Sequence, residues 1–242
     1  MPDDLSALWA QAMTARRRRR IPEARALLVR LLDAASDRPL TLLARAHLAI
    51  LDGDRESAEE TLQRVAEVLP YDTRAAALGM LVAERWPAEP RDCETHLVAT
   101  ARAYRKLCRS APQLGEIALE LGAAQGLATR MIARKCALVY AIEKSAAMAE
   151  RARETTAGLA NVRIVVADVD DPGLVRLHAP RADIVFLDIG GSTPVAKVLD
   201  AARWYEELYR PRSLVVRSVY LSNFVAGLAS VEPFSVASAA SR

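Results

Sequence analysis

The residues best suited to chemistry in this 242-residue chain are four carboxylates at the ends of short apolar runs: Glu120, Glu143, Asp168 and Asp188. The first is followed by a small-residue turn, Gly122-Ala123-Ala124-Gln125-Gly126, after which a helical pattern begins at once. Gly122 permits a tight turn, small Ala124 keeps side chains out of a ligand's way, and Gly126 allows close helix packing. Glu143 stands 23 residues after Glu120, where a carboxylate can accept both hydroxyls of a ribose. Lys144 stands beside Glu143 and Val169 beside Asp168, at the same run ends, and both are candidate cofactor-site residues. Asp188 opens the segment Asp188-Ile189-Gly190-Gly191-Ser192 and is the leading candidate for binding an acceptor or removing its proton. Its alternative role is to cap the following helix, where Ser192 also offers a cap.

Apolar strands separated by helical segments, the order of an α/β parallel sheet, are needed to hold these groups. Strands are expected at 116–121, 137–143, 162–168, 182–189 and 214–219, with crossover helices near 126–134, 145–157, 171–178 and 193–209. The fold class predicted for residues 91–242 is a doubly wound, mostly parallel, Rossmann-like sheet. In such sheets ligands sit outside the carboxyl ends of the strands, where the four acids fall. Residues 1–90 carry helical periodicity and almost no strand signal. Ala24 matches Ala58 at an offset of 34 residues, and Gly53-Asp54, Leu62, Val65 and Pro70 follow the pattern of a helical hairpin repeat. Two repeats, about 5–37 and 39–70, and a closing helix near 72–86 are expected, with Arg19 in the turn-glycine position and Ser36 in place of the proline. Pro87 and Pro90 mark the boundary between an all-α domain, 1–90, and the sheet domain, 91–242.

The acid, one residue, then the turn Gly122–Gly126 resembles the first motif of class I S-adenosylmethionine-dependent methyltransferases. That resemblance implies that Glu120, Gly122, Ala123, Ala124, Gln125 and Gly126 receive the methionine and ribose portions of S-adenosyl-L-methionine. It further implies Glu143 on the ribose, Asp168 near the adenine amino group, and S-adenosyl-L-homocysteine as product. The helical segment is similar to tetratricopeptide repeats. A narrower resemblance runs from Ala103-Tyr104-Arg105-Lys106-Leu107 into the glycine turn and is shared with 2'-O-ribose RNA methyltransferases of the heat-shock family. Lys106 and Asp188 match the first two members of that family's Lys-Asp-Lys-Glu tetrad, Arg217 replaces its second lysine, and the fourth member is absent. A guanidinium does not readily release a proton, so Arg217 suits charge stabilisation. Relative to the methyltransferase family, only 23 residues follow Val219, so the sheet is expected to be abbreviated at its C-terminal edge or completed by another subunit, with one helix and a short strand near 231–237.

The rival reading is a nicotinamide dehydrogenase, but its Gly-x-Gly-x-x-Gly fingerprint needs glycines where Ala124 and Leu127 stand. Two functions compete: an S-adenosylmethionine-dependent methyltransferase acting on an RNA ribose, a small metabolite or a peptide side chain, and a non-enzymatic interaction module with a scaffold or S-adenosylmethionine-sensing domain. Helical repeats usually bind proteins, so a protein partner is expected there under either reading. RNA is the alternative partner. Arg16 to Arg20 suit phosphate or an acidic tail, or form a solvated turn. Arg102, Arg105, Lys106 and Arg109 make a basic helical stripe with Leu97, Ala101, Tyr104 and Cys108 available for packing. The alternative to a phosphate-binding role is again a solvated face.

Composition narrows the classes further. With 52% hydrophobic and 26% charged residues the chain is an ordinary globular protein. Residues 1–91 hold 14 arginines and 14 acids, so the net charge of +3 arises from the remainder. This balance does not demand a nucleic-acid partner. No apolar stretch is long enough to cross a bilayer, and a cytoplasmic location is expected. Cys93, Cys108 and Cys136 lack zinc-site spacing and His47, His96 and His178 are isolated, so no metal is expected. Trp9, Trp86 and Trp204 read as core anchors.

Overall fold

A computed structural model describes residues 5–34, 39–89 and 92–229. Five helices come first: α1 (Leu5–Arg17), α2 (Ile21–Ala34), α3 (Pro39–Asp52), α4 (Arg55–Val68) and α5 (Thr73–Arg85). They form because apolar residues recur at helical spacing and the starts of α4 and α5 are capped. The Asp54 side chain accepts from Ser57 N, and that of Asp72 from Arg74 N. Buried positions recur at the expected offset: Ala24, Leu28 and Leu31 of α2 become Ala58, Leu62 and Val65 of α4. Arg19, opposite Gly53 in that register, takes the same left-handed conformation, with φ of +57° against +75°. Ser36 and Pro90 lie outside the described residues.

The remaining chain alternates strand and helix. Its elements are β1 (Glu94–Val98), α6 (Ala101–Ser110), β2 (Ile117–Leu121), α7 (Leu127–Ile132), β3 (Leu138–Glu143), α8 (Ala146–Thr155) and β4 (Val162–Val166). Then follow α9 (Pro172–His178), β5 (Ile184–Leu187), α10 (Val195–Tyr209), β6 (Ser213–Arg217) and α11 (Val219–Ala229). The six strands pair in parallel in the order β1-β6-β5-β2-β3-β4. Side chains alternate across the sheet as the pleat requires. Ala118, Val139, Ile184, Phe186 and Val215 face α6 and α7. Leu119, Leu121, Ile142, Val185, Leu187 and Val216 share a cluster with Val175 of α9 and Val198 and Tyr205 of α10. Helices on both faces make the sheet doubly wound.

β1 was not expected. Leu97, assigned to the basic helical stripe, lies instead on this strand, paired with Val216. The polar-rich Glu94-Thr95-His96 stretch shows little apolar alternation because β1 is an edge strand, exposed at its start. Among the described residues the sheet has six strands, and the position beside β6 is filled by residues 94–98 of the same chain. The short strand proposed near 231–237 lies outside the described residues.

The helical segment meets the sheet domain through α9. Leu177 of α9 lies in the core of α3, α4 and α5. Gly79 of α5 and Gly173 of α9 let the two backbones touch, since a Cβ on Gly173 would stand 3.0 Å from the Ala76 carbonyl oxygen. His178 Nε2 lies 2.9 Å from the Pro70 carbonyl oxygen. Among the described residues no helix is long and apolar enough to cross a membrane.

Candidate functional site

Strand order reverses between β2 and β5, and a crevice opens at their carboxyl ends, as expected at a topological switch point. β2 runs into Gly122, whose φ is +91° and whose added Cβ would overlap the Asp188 carbonyl. Glycine is therefore required there by both conformation and space. Gly126, with φ of +77°, allows α7 to lie against α8, where a Cβ would come within 3.0 Å of Ala152 Cα. Between them Ala124 holds a left-handed φ of +48°, a conformation that costs a side-chain-bearing residue roughly 1–2 kcal/mol.

The cleft has a volume of ≈ 570 Å³ and is lined by Gly122, Ala124, Ile142, Glu143, Lys144, Asp168, Val169, Asp188, Ile189, Gly190, Ser192, Thr193, Pro194, Lys197 and Arg217. Glu143 ends β3 with each carboxylate oxygen anchored once. Oε2 accepts from Ala124 N and Oε1 from Ser145 N, both at 2.9 Å. The carboxylate is thus aimed along the turn, and each oxygen keeps a lone-pair direction for a hydroxyl. Asp168 Oδ1 accepts from Asp170 N at 3.1 Å. The loop is pinned below by Tyr205, whose hydroxyl donates to the Val169 carbonyl at 2.8 Å. Asp188 and Arg217, from adjacent strands, form an ion pair at 2.6 Å. Lys197, on α10, pairs with Asp170 at 2.6 Å.

Glu120 is placed differently from the expectation. It is 1% exposed and absent from the cleft wall. Thr129 of α7 donates its hydroxyl to Glu120 Oε2 at 2.5 Å. Burial pushes the Glu120 carboxyl up to about 8, the nearby Asp188 and Glu143 charges add to the rise, and the Thr129 hydrogen bond opposes it. Glu120 therefore braces the turn from beneath. Ala123 is buried, Gln125 is exposed, and neither lines the cleft. Gly126 acts through helix packing.

The three residues proposed for catalysis are not brought together. Asp188 and Arg217 meet, whereas Lys106 is exposed in the second turn of α6 and outside the cleft wall. The stripe of α6 faces outward because its inner residues, Tyr104 and Cys108, are the ones that pack on the sheet. Ser192 does not cap α10. Pro194 occupies that position with no side-chain cap, and the Asp188 carboxylate accepts from Arg217 and weakly from Gly190 N. Beneath the ion pair, the Tyr104 hydroxyl and Arg217 Nε are buried without partners among the described residues.

Sequence reasoning missed Thr129 and Lys197. Thr129 stands nine residues after Glu120, which places a hydroxyl one helical turn above the glycine loop and was a readable signal. Lys197 carried none, because its approach depends on how α10 lies beside the loop after β4. Among the described residues no group of His, Cys, Asp or Glu could hold a metal ion. The three cysteines are free, and His47 is buried against Trp9, ring centroids 5.3 Å apart.

Comparison with known proteins now bears on this geometry. Residues 118–210 match the sequence family described as "Methyltransferase domain". A curated relative, an rRNA methyltransferase of Streptomyces thermotolerans, is 32% identical over 93 residues, 38% of this chain and 28% of that protein. The chain thus spans under a third of the length of the curated relative it matches. Among solved structures, an S-adenosylmethionine-dependent methyltransferase of Leishmania major aligns over 79% of this chain and 68% of its own, at 15% identity and a TM-score of 0.38. A precorrin 8w decarboxylase of Methanobacterium thermoautotrophicum aligns over 53% and 69%, at 20% identity and a TM-score of 0.43.

Proposed function

We propose that the chain is an S-adenosyl-L-methionine-dependent methyltransferase whose cofactor occupies the crevice between β2, β3, β4 and β5. One observation carries the reading: Glu143 is held by two backbone N–H groups at the end of β3, facing the cleft beside the bare backbone of Gly122. The match of residues 118–210 to a methyltransferase domain supports it. The residues present fit the group, because the cleft volume lies in the usual range for small-ligand sites, and the acids suit a ligand with ribose hydroxyls, a sulfonium and an ammonium group.

When bound, this cofactor would supply an electrophilic methyl group, with its sulfur as the leaving group, to an acceptor heteroatom that gives up a proton. The protein's own part is chiefly orientation. Glu143 would hold the ribose hydroxyls, and Asp168 and Val169 would hold the adenine. Glu120 and Thr129 hold the turn in shape. Asp188 binds the acceptor through its Oδ2, its Oδ1 being engaged by Arg217, and Arg217 offers a fixed positive charge at the same mouth. Lys106, exposed on α6, supports acceptor binding from outside the cleft rather than proton transfer within it.

Calorimetry with S-adenosyl-L-homocysteine tests the reading. Selective binding over NAD is expected, and Glu143→Ala should weaken it by roughly 1.5–3 kcal/mol, the size of hydrogen bonds to a charged group. Unchanged affinity in a folded variant rejects this placement of the ribose. Asp188→Asn should lower turnover of an identified acceptor by about 10²-fold while leaving cofactor affinity nearly constant.

The helical segment supports a partner-binding role for a tetratricopeptide-like unit. A cavity of ≈ 780 Å³ between α1, α3 and α5 is lined by Trp9, Met13, His47, Met80 and Leu81, with Arg16, Arg17, Arg74 and Glu84 around it. Such a cavity suits an apolar side chain flanked by acid.

A further inference from the structure

One strongly charged face has no part in the fold or the cleft. α6 and α7 pack side by side and, with the turn that follows α7, carry Arg102, Arg105, Lys106, Arg109, Arg130, Arg134 and Lys135, all exposed. No acid occurs between Glu94 and Glu116 or between Glu120 and Glu143. The two helices are tied at their ends by these same bases: Arg109 Nη1 donates to Met131 Sδ at 3.3 Å and Lys135 Nζ to the Ser110 carbonyl at 3.4 Å.

A merely solvated helix face normally carries its own counter-charges, as α4 does with Arg55–Glu59, α8 with Arg153–Glu150 and α10 with Arg203–Glu207. Among the described residues none of the seven bases forms an ion pair with a carboxylate. Mutual repulsion is left uncompensated, which is the condition of a surface built for an anionic partner. The α6 stripe sets its four cations over about 10 Å at the rise of a helix. The face lacks the aromatic and aliphatic anchors that dominate protein interfaces; its exposed apolar neighbours are the separate residues Leu114 and Leu127. Repeated anions without apolar anchors describe a phosphodiester chain.

The face also leads to the cleft. α6 begins just after Val98, which pairs with Arg217, and Ser218 N donates to the Val98 carbonyl at 3.0 Å. The inward side of the same helix places Tyr104 against Phe186, the ring centroids 6.2 Å apart.

We propose that the α6–α7 face binds the sugar-phosphate backbone of a polynucleotide and brings it to the mouth of the cleft beside Arg217. This rests on the methyltransferase reading only in making the polynucleotide the acceptor. Backbone contacts of this kind position a strand without reading its sequence.

The test uses the full chain and short fluorescein-labelled single-stranded RNA and DNA oligonucleotides of equal sequence, with anisotropy followed from about 50 to 200 mM KCl. Binding should weaken steeply with salt, with a logarithmic slope of about −3 if four phosphates are contacted. The triple variant Arg105→Glu/Arg109→Glu/Arg134→Glu should lose at least tenfold in affinity at low salt, and the slope should flatten by about 2. The corresponding glutamine variant should show a smaller loss in the same direction. Both should keep the helical circular dichroism of the parent. Reversal of Arg45, Arg64 and Arg85, equal in charge but exposed on the helical segment, should leave binding unchanged. Preference for RNA, preference for DNA or indifference identifies the kind of strand, and each supports the face. The proposal is overturned if the unmodified protein binds neither oligonucleotide, if both reversals weaken binding equally, or if polyglutamate competes as well as an unlabelled oligonucleotide of equal charge. S-adenosyl-L-homocysteine calorimetry separates the two readings: a protein that binds the oligonucleotide through this face but not the nucleoside keeps the face and loses the methyltransferase assignment.

Discussion

Glu120 is the residue whose environment differs most from its appearance in the sequence. A carboxyl expected to face a cationic cofactor is sealed under the turn, and burial raises it from 4.5 to about 8. Between those values the unfolded chain has released this proton and the folded chain retains it, so stability falls as pH rises through that window. Glu120→Gln keeps an oxygen for Thr129 and removes the titration. Without cofactor, the variant should match the parent near pH 5 and exceed it near pH 8 by on the order of 3 kcal/mol, read from urea melts. His47, pushed down to about 3 by burial and by Arg16, opposes this trend in acid, but equally in both proteins. A pH-independent difference would mean that Glu120 is ionised when folded. Ala124 offers a second test. Ala124→Gly relieves its left-handed backbone at the cost of a looser unfolded chain, and should be neutral or stabilising by up to about 1 kcal/mol.

Among the elements, the turns and helix crossings carry the sharpest constraints. Arg19 and Gly53 occupy equivalent turns with the same sign of φ, although only one is a glycine. Arg19→Gly should therefore stabilise the α1–α2 hairpin by about 0.5–1 kcal/mol, visible as a small rise in melting temperature, and a loss would show that the Arg19 side chain contributes more than its strain costs. At the crossing of α5 and α9 the opposite holds. Gly173→Val places branched carbon against the Ala76 carbonyl, already only 3.0 Å from a Cβ position, and backbone cannot yield as a flexible side chain can. Overpacking of this kind costs roughly 1–3 kcal/mol, and melting should become less cooperative as the helical segment lifts from α9.

At the scale of the whole molecule the two halves share more than a linker. Leu177 of α9 is 2% exposed within the core of the α-helical segment, and His178 Nε2 lies 2.9 Å from the Pro70 carbonyl oxygen. A chain beginning at Asp92 would expose Leu177, at a cost of about 1.5–3 kcal/mol for that side chain. It should melt earlier than the full chain and bind an apolar dye at α9. Equal melting of the sheet domain with and without residues 1–91 would show that the halves are energetically independent.

The sequence by itself determined the alternation of strands and helices, because alternating burial and helical periodicity are local consequences of which faces meet the core. It also located the glycine turn and the carboxylates at the ends of β3 and β5, since a strand's end is marked by where its apolar run stops. Tertiary structure alone decided which of these groups share the cleft. Glu120 and Glu143 look alike in the sequence, yet the pleat turns one under the sheet edge toward Thr129 and the other toward the Ala124 and Ser145 amides. Lys106 and Arg217 both appear basic and close to the mouth, but the buried side of α6 is claimed by Tyr104 and Cys108, which turns Lys106 outward. β1 was hidden for a related reason: an edge strand buries little, so its partner in space, β6, rather than its own residues, makes it a strand.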